Sequence, residues 1–303
     1  MLFRSELSSA EINELLRATA KARETGKPII EIGTTDFPLD AFAPRLGAVR
    51  RELLTGRGFY LIRGLPVREL DRESVATLFW GLGTHMGLAV SQNGKGHVLG
   101  HVKDLGLDYD DPNNRGYQTS ARLPYHTDYA DLVGLLCLNT AREGGKSSLV
   151  SSVTVYNRML EQRPDLVGVL REPLYRTRWG EVGSDRPPWV EVPAFNVHGE
   201  GVVTTYVRSA VRKAQLMPQV PRLTDSQIEA MDLFDSLAED PEIHLDMDFE
   251  PGDIQFVNNH WLLHSRTAYL DHAEPERKRH LLRLWLARSE EHTSELQSPD
   301  HLV

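Results

Sequence analysis

Residues 123–138 read Leu-Pro-Tyr-His-Thr-Asp-Tyr-Ala-Asp-Leu-Val-Gly-Leu-Leu-Cys-Leu: a β-like run around Tyr125, a polar interruption, then an apolar run over 132–138. A run of that length suits a strand and falls short of the roughly 18 consecutive apolar residues that a membrane span needs. Downstream the pattern recurs at 147–153, 174–179, 202–207, 243–249, 254–258, 261–269 and 281–287. Many short strands separated by turn signals predict a sandwich or barrel, a mainly β fold with flanking helices.

The helices are marked by their caps. Ser8 with Glu11 three residues on is a capping box, Ile12, Leu15, Leu16 and Thr19 continue as a helical stripe, and Gly26 with Pro28 stops it. A second helix is expected from Asp40 through Leu53, and a third from Asp71 to Trp80, with a β run at 58–63 between them. Two more interrupt the strands: one around Val153 to Leu170 that restarts at Pro164, and one from a Thr224 cap through Leu237. Residues 87–122 are polar and rich in Gly, Asn and Asp, a long loop of the kind that often carries function. With no repeat, low-complexity stretch or linker, one domain over 1–287 is the economical reading.

The chemistry begins at His126-Thr127-Asp128. Residues two apart on a strand point to one face, so His126 and Asp128 can reach a common point, which is half of a metal site. His-x-Asp alone also occurs in surface turns, so a further ligand must come from elsewhere. Pro251-Gly252-Asp253 is a turn, Ile254 to Val257 a buried strand, and the segment after it carries His260 and His264. These lie four apart and share a face, so periodicity alone does not choose between them.

Taken together, His126-x-Asp128, Gly144-Gly145-x-Ser147, Pro251-Gly252-Asp253, His264-Ser265-Arg266 and Arg279-x-x-x-Arg283 resemble the taurine dioxygenase-like (TauD/TfdA) family of Fe(II)/2-oxoglutarate oxygenases, over roughly 58–287. The resemblance implies a double-stranded β-helix, a distorted jelly roll with its metal at the open mouth. It implies iron(II) held by His126, Asp128 and His264, with His260 as a hydrogen-bonding or packing histidine. Two imidazoles and one carboxylate on one face of an octahedral ion leave positions for the keto acid and O2. The carboxylate also separates oxygenation from the halogenation of related enzymes that lack it. Arg279 matches the family's 2-oxoglutarate guanidinium and Ser147 its hydroxyl, with Ser148 as the other candidate. Arg283 is implied as a contact to a substrate carboxylate. The segments 92–97 and 115–119 resemble lids, which makes Asn93, Tyr117 and Thr119 candidate substrate contacts.

The remaining readings bound the function. Arg266 would face the metal side, as a core ion pair or a ligand contact. Asp108, Asp110 and Asp111 lack the Gly and terminal Glu of a calcium loop. Trp179, Trp189 and Tyr206 could form a cage for a quaternary amine, or core. Cys137 cannot form an internal disulfide and reads as a small buried apolar residue. A net charge of −9 disfavours nucleic acid. No membrane partner is expected, and the first ten residues carry no signal-peptide pattern, so the cytoplasm is the expected compartment. The partner expected is a small-molecule substrate, with a homo-oligomer left open. Residues 288–303 read as the in-frame translation of a sequencing-library adapter that replaced the natural C-terminus, which removes His292 and His301 as ligands.

The expected reaction is hydrogen abstraction from an unactivated carbon of a small carboxylate-bearing molecule, most simply hydroxylation, with release of succinate and CO2. The competing readings are a non-heme iron oxygenase that uses no keto acid, a non-catalytic metal-binding jelly roll, and a zinc hydrolase, for which no general base stands out.

Overall fold

The computed structural model describes residues 4–181, 186–199 and 201–288. In chain order the elements are β1 (Arg4–Glu6), α1 (Ser9–Glu24), α2 (Ala43–Thr55), β2 (Phe59–Arg63), α3 (Arg72–Met86), β3 (Leu88–Ala89), β4 (Leu99–Val102), β5 (Leu123–His126), β6 (Leu132–Asn139), β7 (Glu143–Gly144) and β8 (Ser147–Ser151). They continue with α4 (Ser152–Gln162), α5 (Pro164–Leu170), β9 (Pro173–Thr177), β10 (Trp189–Pro193), β11 (Phe195–His198), β12 (Gly201–Thr204), α6 (Arg208–Ala214), α7 (Asp225–Ala238), β13 (His244–Met247), β14 (Ile254–Asn258), β15 (Leu262–Arg266), β16 (Tyr269–Leu270) and β17 (His280–Ala287).

Two sheets make the frame. The larger orders β1-β2-β14-β6-β17-β3, with β4 also paired to β17, and the smaller orders β13-β8-β15-β5. The period of two along each strand sorts its side chains. From β17, Leu282, Leu284 and Leu286 join Leu132, Leu136, Ile254 and Phe256 against Leu15, Leu46, Leu78 and Phe79 of the first three helices. The alternate residue Trp285 packs instead with Val133 and Ala130 inside the roll. The smaller sheet presents Tyr125, Val150 and Leu263 to Val155, Leu166 and Phe234 of α4, α5 and α7. Leu149, Met247, Val257 and Leu262 fill the space between the sheets at one end. Two sheets facing each other, each backed by helices, form the expected double-stranded β-helix.

The capping boxes at Ser8 and Thr224 are both made. The third helix runs past its expected end at Trp80 to Met86, through Gly81 and Gly83. Both glycines mark close contact: a Cβ on Gly81 would lie 2.3 Å from the Phe37 ring, and one on Gly83 2.5 Å from Leu284 Cδ1. The long loop over 87–122 contributes β3 and β4, which extend the larger sheet at β17. The strand expected at 202–207 stops at Thr204, and β1, β10, β11 and α6 are elements the patterning did not announce. Among the described residues no helix is long and apolar enough to cross a membrane. Of the adapter-like tail only Arg288 lies within them; its N–H donates to Asp131 Oδ2 at 2.8 Å.

Candidate active site

β5 and β15 are antiparallel neighbours in which His126 and His264 are Cα partners, so the two rings face each other with centroids 4.3 Å apart. Asp128 follows two residues past His126, in a turn held by Asn259. The Asp128 N–H donates to Asn259 Oδ1 at 2.8 Å, and Asn259 Nδ2 donates to the carbonyls of Ala130, at 3.0 Å, and Asp128. As a result one donor atom from each of His126, Asp128 and His264 lies within 4.8 Å of the others. His260, in the turn before β15, instead bonds Asp131 Oδ1 through Nε2 at 2.6 Å.

The protonation states suit a metal. His126 Nδ1–H donates to the Pro124 carbonyl at 2.8 Å, which leaves the Nε2 lone pair for a ligand role. Burial pushes the His264 imidazole down to about 3, helped by His126 and opposed by Asp128. Burial also lowers His126, against the pull of Asp128. Burial alone would raise the Asp128 carboxyl, but Arg283, His264 and His126 outweigh it and hold the group at about 2. At neutral pH the set is therefore two neutral imidazoles and one carboxylate, a donor set that fits a divalent first-row ion with open positions.

Behind Asp128 stands β17. Trp285 Nε1–H donates to Asp128 Oδ2 at 2.8 Å, and Arg283 Nη1 lies 3.1 Å from Oδ2 and 3.4 Å from Oδ1. Arg283 is itself fixed: Nε donates to Gln92 Oε1 at 2.8 Å, and the guanidinium sits 4.6 Å and 4.8 Å from the ring centres of Tyr117 and Trp285. The sequence assigned Arg283 to a substrate carboxylate; here its nearest carboxylate is that of Asp128.

A cavity of about 60 Å³ opens beside His126 and Asp128, walled by Tyr109, Arg115, Tyr117, Trp179, Arg208 and Arg283 among others. Tyr117 is thus part of the wall. Asn93 is not: its Oδ1 accepts the Lys95 N–H at 3.0 Å and its Nδ2 meets His97, both in its own exposed loop. Thr119 is buried behind the wall, with its hydroxyl donating to the Gly116 carbonyl at 3.0 Å. The aromatic cage does not form either, because Tyr206 is wholly buried and donates to Asp235 at 2.8 Å. Trp179 alone among the described non-glycine residues adopts a positive φ, 50°. For a bulky side chain that conformation is strained, and such strain clusters at functional sites. Arg115 stacks 4.4 Å from the Trp179 ring and forks onto Glu181 at 2.9 and 2.5 Å, while Glu181 also accepts the Gly94 N–H at 3.1 Å. Three loops are tied at that one carboxylate.

Arg279 lies at a second opening. Arg279, just before β17, is 4% exposed, and its Nη1 has no hydrogen-bond partner. Gly144, Gly145 and Lys146 share with it a pocket of about 200 Å³. Gly145 has φ 72° and must lack a side chain, since a Cβ there would lie 2.9 Å from Arg279 Nε. An orphaned buried guanidinium beside a glycine turn fits the far carboxylate of a dicarboxylic acid. Of the two serines, Ser148 is engaged with the Tyr125 hydroxyl at 2.5 Å, whereas Ser147 is buried opposite Arg266 in the strand register.

Comparison with known proteins agrees with this geometry. The family model "Taurine catabolism dioxygenase TauD, TfdA family" matches residues 21–285. The chain belongs to that family. Its members' chemistry makes the protein an iron(II)- and 2-oxoglutarate-dependent dioxygenase. Relatives include FR-33289 synthase of Streptomyces rubellomurinus, 31% identical over 282 residues covering 90% of this chain and 81% of that one. The taurine hydroxylase-like protein SAT17 of Stachybotrys chartarum is 29% identical over 92% of this chain and 73% of its own length. In fold the chain is similar to asparagine oxygenase solved with Fe(II), hydroxyasparagine and succinate, at TM-score 0.76 and 16% identity over 99% of this chain and 98% of that one. It is likewise similar to the non-heme iron oxygenase OrfP with Fe and alpha-ketoglutaric acid, at TM-score 0.69 and 16% identity over 98% of both chains.

Gln92, Asn259 and Trp285, which position the candidate ligands and Arg283, were not singled out from sequence. Trp285 had a readable signal, since it shares strand parity with Arg283. Gln92 and Asn259 had none, because their partners lie far away along the chain.

Proposed function

We propose that the enzyme hydroxylates an unactivated C–H bond of a small carboxylate-bearing molecule, with iron(II) held by His126, Asp128 and His264, 2-oxoglutarate held by Arg279 and Ser147, and the substrate received in the cavity beside Tyr117 and Arg283. One observation carries the reading: three metal-competent donors within 4.8 Å of one another sit in the same roll as a buried guanidinium with an orphaned nitrogen. The bound iron and keto acid supply the oxidising chemistry that converts the C–H bond and O2 into C–OH, succinate and CO2.

The residues of this chain do the rest. His126 and His264 stay unprotonated and offer lone pairs, and Asp128 stays ionised because Arg283 and Trp285 face it. Arg279 orients the keto acid by its far end. Tyr117, Trp179 and Arg115 close over the reacting carbon and exclude water. In the structural neighbours, the asparagine oxygenase complex contains 3-hydroxyasparagine and succinate, and one OrfP complex contains succinate and 3-hydroxyarginine. Both favour hydroxylation and an amino-acid-like carboxylate for this chain.

The test is anaerobic addition of Fe(II) and 2-oxoglutarate, expected to give a weak visible charge-transfer band, followed by a screen under air of amino acids, sulfonates, phenoxy acids and peptide-like carboxylates for succinate release. His126→Ala should abolish iron binding, and Arg279→Ala should raise the 2-oxoglutarate concentration required. An iron-loaded sample with neither band nor succinate under any of these substrates would refute the proposal.

A further inference from the structure

Arg266 ends β15, two residues beyond His264, and only 4% of it is exposed. Its Nη2 donates to the carbonyl of Thr119 at 3.1 Å and to that of Ala121, while Nε and Nη1 are buried with no partner. No carboxylate forms an ion pair with it among the described residues. Arg279 likewise leaves one buried nitrogen, Nη1, without a partner, and the two guanidinium carbons lie 4.6 and 5.2 Å from the centre of one ring, that of Tyr269. Ser147 is the direct cross-strand partner of Arg266.

Two buried cations around one tyrosine leave Nε and Nη1 of Arg266 and Nη1 of Arg279 without acceptors. Desolvated guanidinium donors left unpaired are costly, and like charges at this range add to the cost. The far carboxylate of a dicarboxylic keto acid, shared between the two guanidiniums, would give their free donors an acceptor and bring in a negative charge. A role limited to bracing residues 119–121 explains Nη2 and leaves Nε and Nη1 without purpose.

We infer that Arg266 is a second guanidinium of the co-substrate chamber, acting with Arg279 as a two-cation receptor selective for a doubly charged keto acid. The inference rests on the reading of Arg279 and Ser147 given above. It adds a function for a residue whose sequence context allowed a core ion pair equally well.

The experiment measures dissociation constants of 2-oxoglutarate and of 2-oxobutanoate, which lacks the second carboxylate, for the anaerobic Fe(II) protein by charge-transfer absorbance and by calorimetry. The readout is the ratio of the two constants in wild type, Arg266→Met and Arg266→Lys. Loss of a charge-assisted fork should shrink the preference for 2-oxoglutarate roughly 10- to 100-fold in Arg266→Met. Lysine keeps the charge and loses the fork, so Arg266→Lys should shrink it several-fold, and it serves if the methionine variant does not fold. A ratio unchanged in the folded variants, with both acids weakened equally or not at all, would overturn the inference and leave Arg266 a brace for residues 119–121. Wild-type protein that binds neither acid would overturn the functional reading beneath it as well.

Discussion

Trp285 and Asp128, 157 residues apart in sequence, are joined by an indole N–H donated to Oδ2 at 2.8 Å. The bond reaches from the larger sheet to the turn after β5, so the carboxylate is aimed from behind by a rigid strand. Partners of this kind typically contribute 10- to 100-fold to metal affinity. Trp285→Phe keeps an aromatic ring, though a smaller one, and removes the donor, and it should weaken Co(II) or Mn(II) binding by roughly 10-fold as read by calorimetry.

Arg283 makes a heavier contribution because it is a buried charge facing a buried charge. Removing one member of such a pair strands the other. Arg283→Met should lower the unfolding free energy of the metal-free protein by about 3 kcal/mol at neutral pH, measured by urea denaturation.

Gly145 makes room for Arg279. In Gly145→Ala the positive φ costs about 1–2 kcal/mol, and the new methyl group, built 2.9 Å from Nε, displaces the guanidinium. The expected outcome is a roughly 10-fold weaker 2-oxoglutarate titration, with metal affinity unchanged.

Glu181 holds the loops over the cavity together. Glu181→Gln keeps one acceptor oxygen and loses the charge, so its hold on Arg115 and on the Gly94 N–H should loosen. Hydrogen exchange at the Gly94 amide should speed up several-fold while amides in β17 keep their protection.

His280 and His101 share a 2.8 Å contact between ring nitrogens at the start of β17. Burial, then His101, lowers His280 to about 4 from an ordinary 6.5. The unfolded chain therefore takes up a proton at a higher pH than the folded one, so this site's stability is present above pH 6.5 and lost as the pH falls toward 4. Urea midpoints measured at pH 7.5 and pH 5 should differ less in His280→Gln than in wild type.

Much of this was legible beforehand. Strand 281–287 is a near-continuous apolar run because helices cover one face and the facing sheet covers the other, and such runs announce themselves. His126-x-Asp128 was readable as a pair because a spacing of two suggests one face, although the strand ends at His126 and Asp128 reaches the same point from the turn beyond it. The choice between His260 and His264 was not, since both fit the same parity. The turn at Asn258-Asn259 takes His260 off the strand toward Asp131, while His264 stands with His126 and Asp128. The contact of Arg283 with Asp128 was not legible for a related reason. Its distance to Asp128 depends on how two sheets stack, and alternation along one strand says nothing about what stands opposite.

Strand β17 bears Leu282, Leu284 and Leu286 on the helix side and Arg283 with Trp285 toward the candidate ligands, with Arg279 at its head. A single-residue slip would exchange these two sets. Anyone seeking new substrates from this scaffold by random mutagenesis should therefore find tolerated changes concentrated in the loops near Gly94, Arg115 and Trp179, while libraries spread along 279–287 return mostly inactive clones.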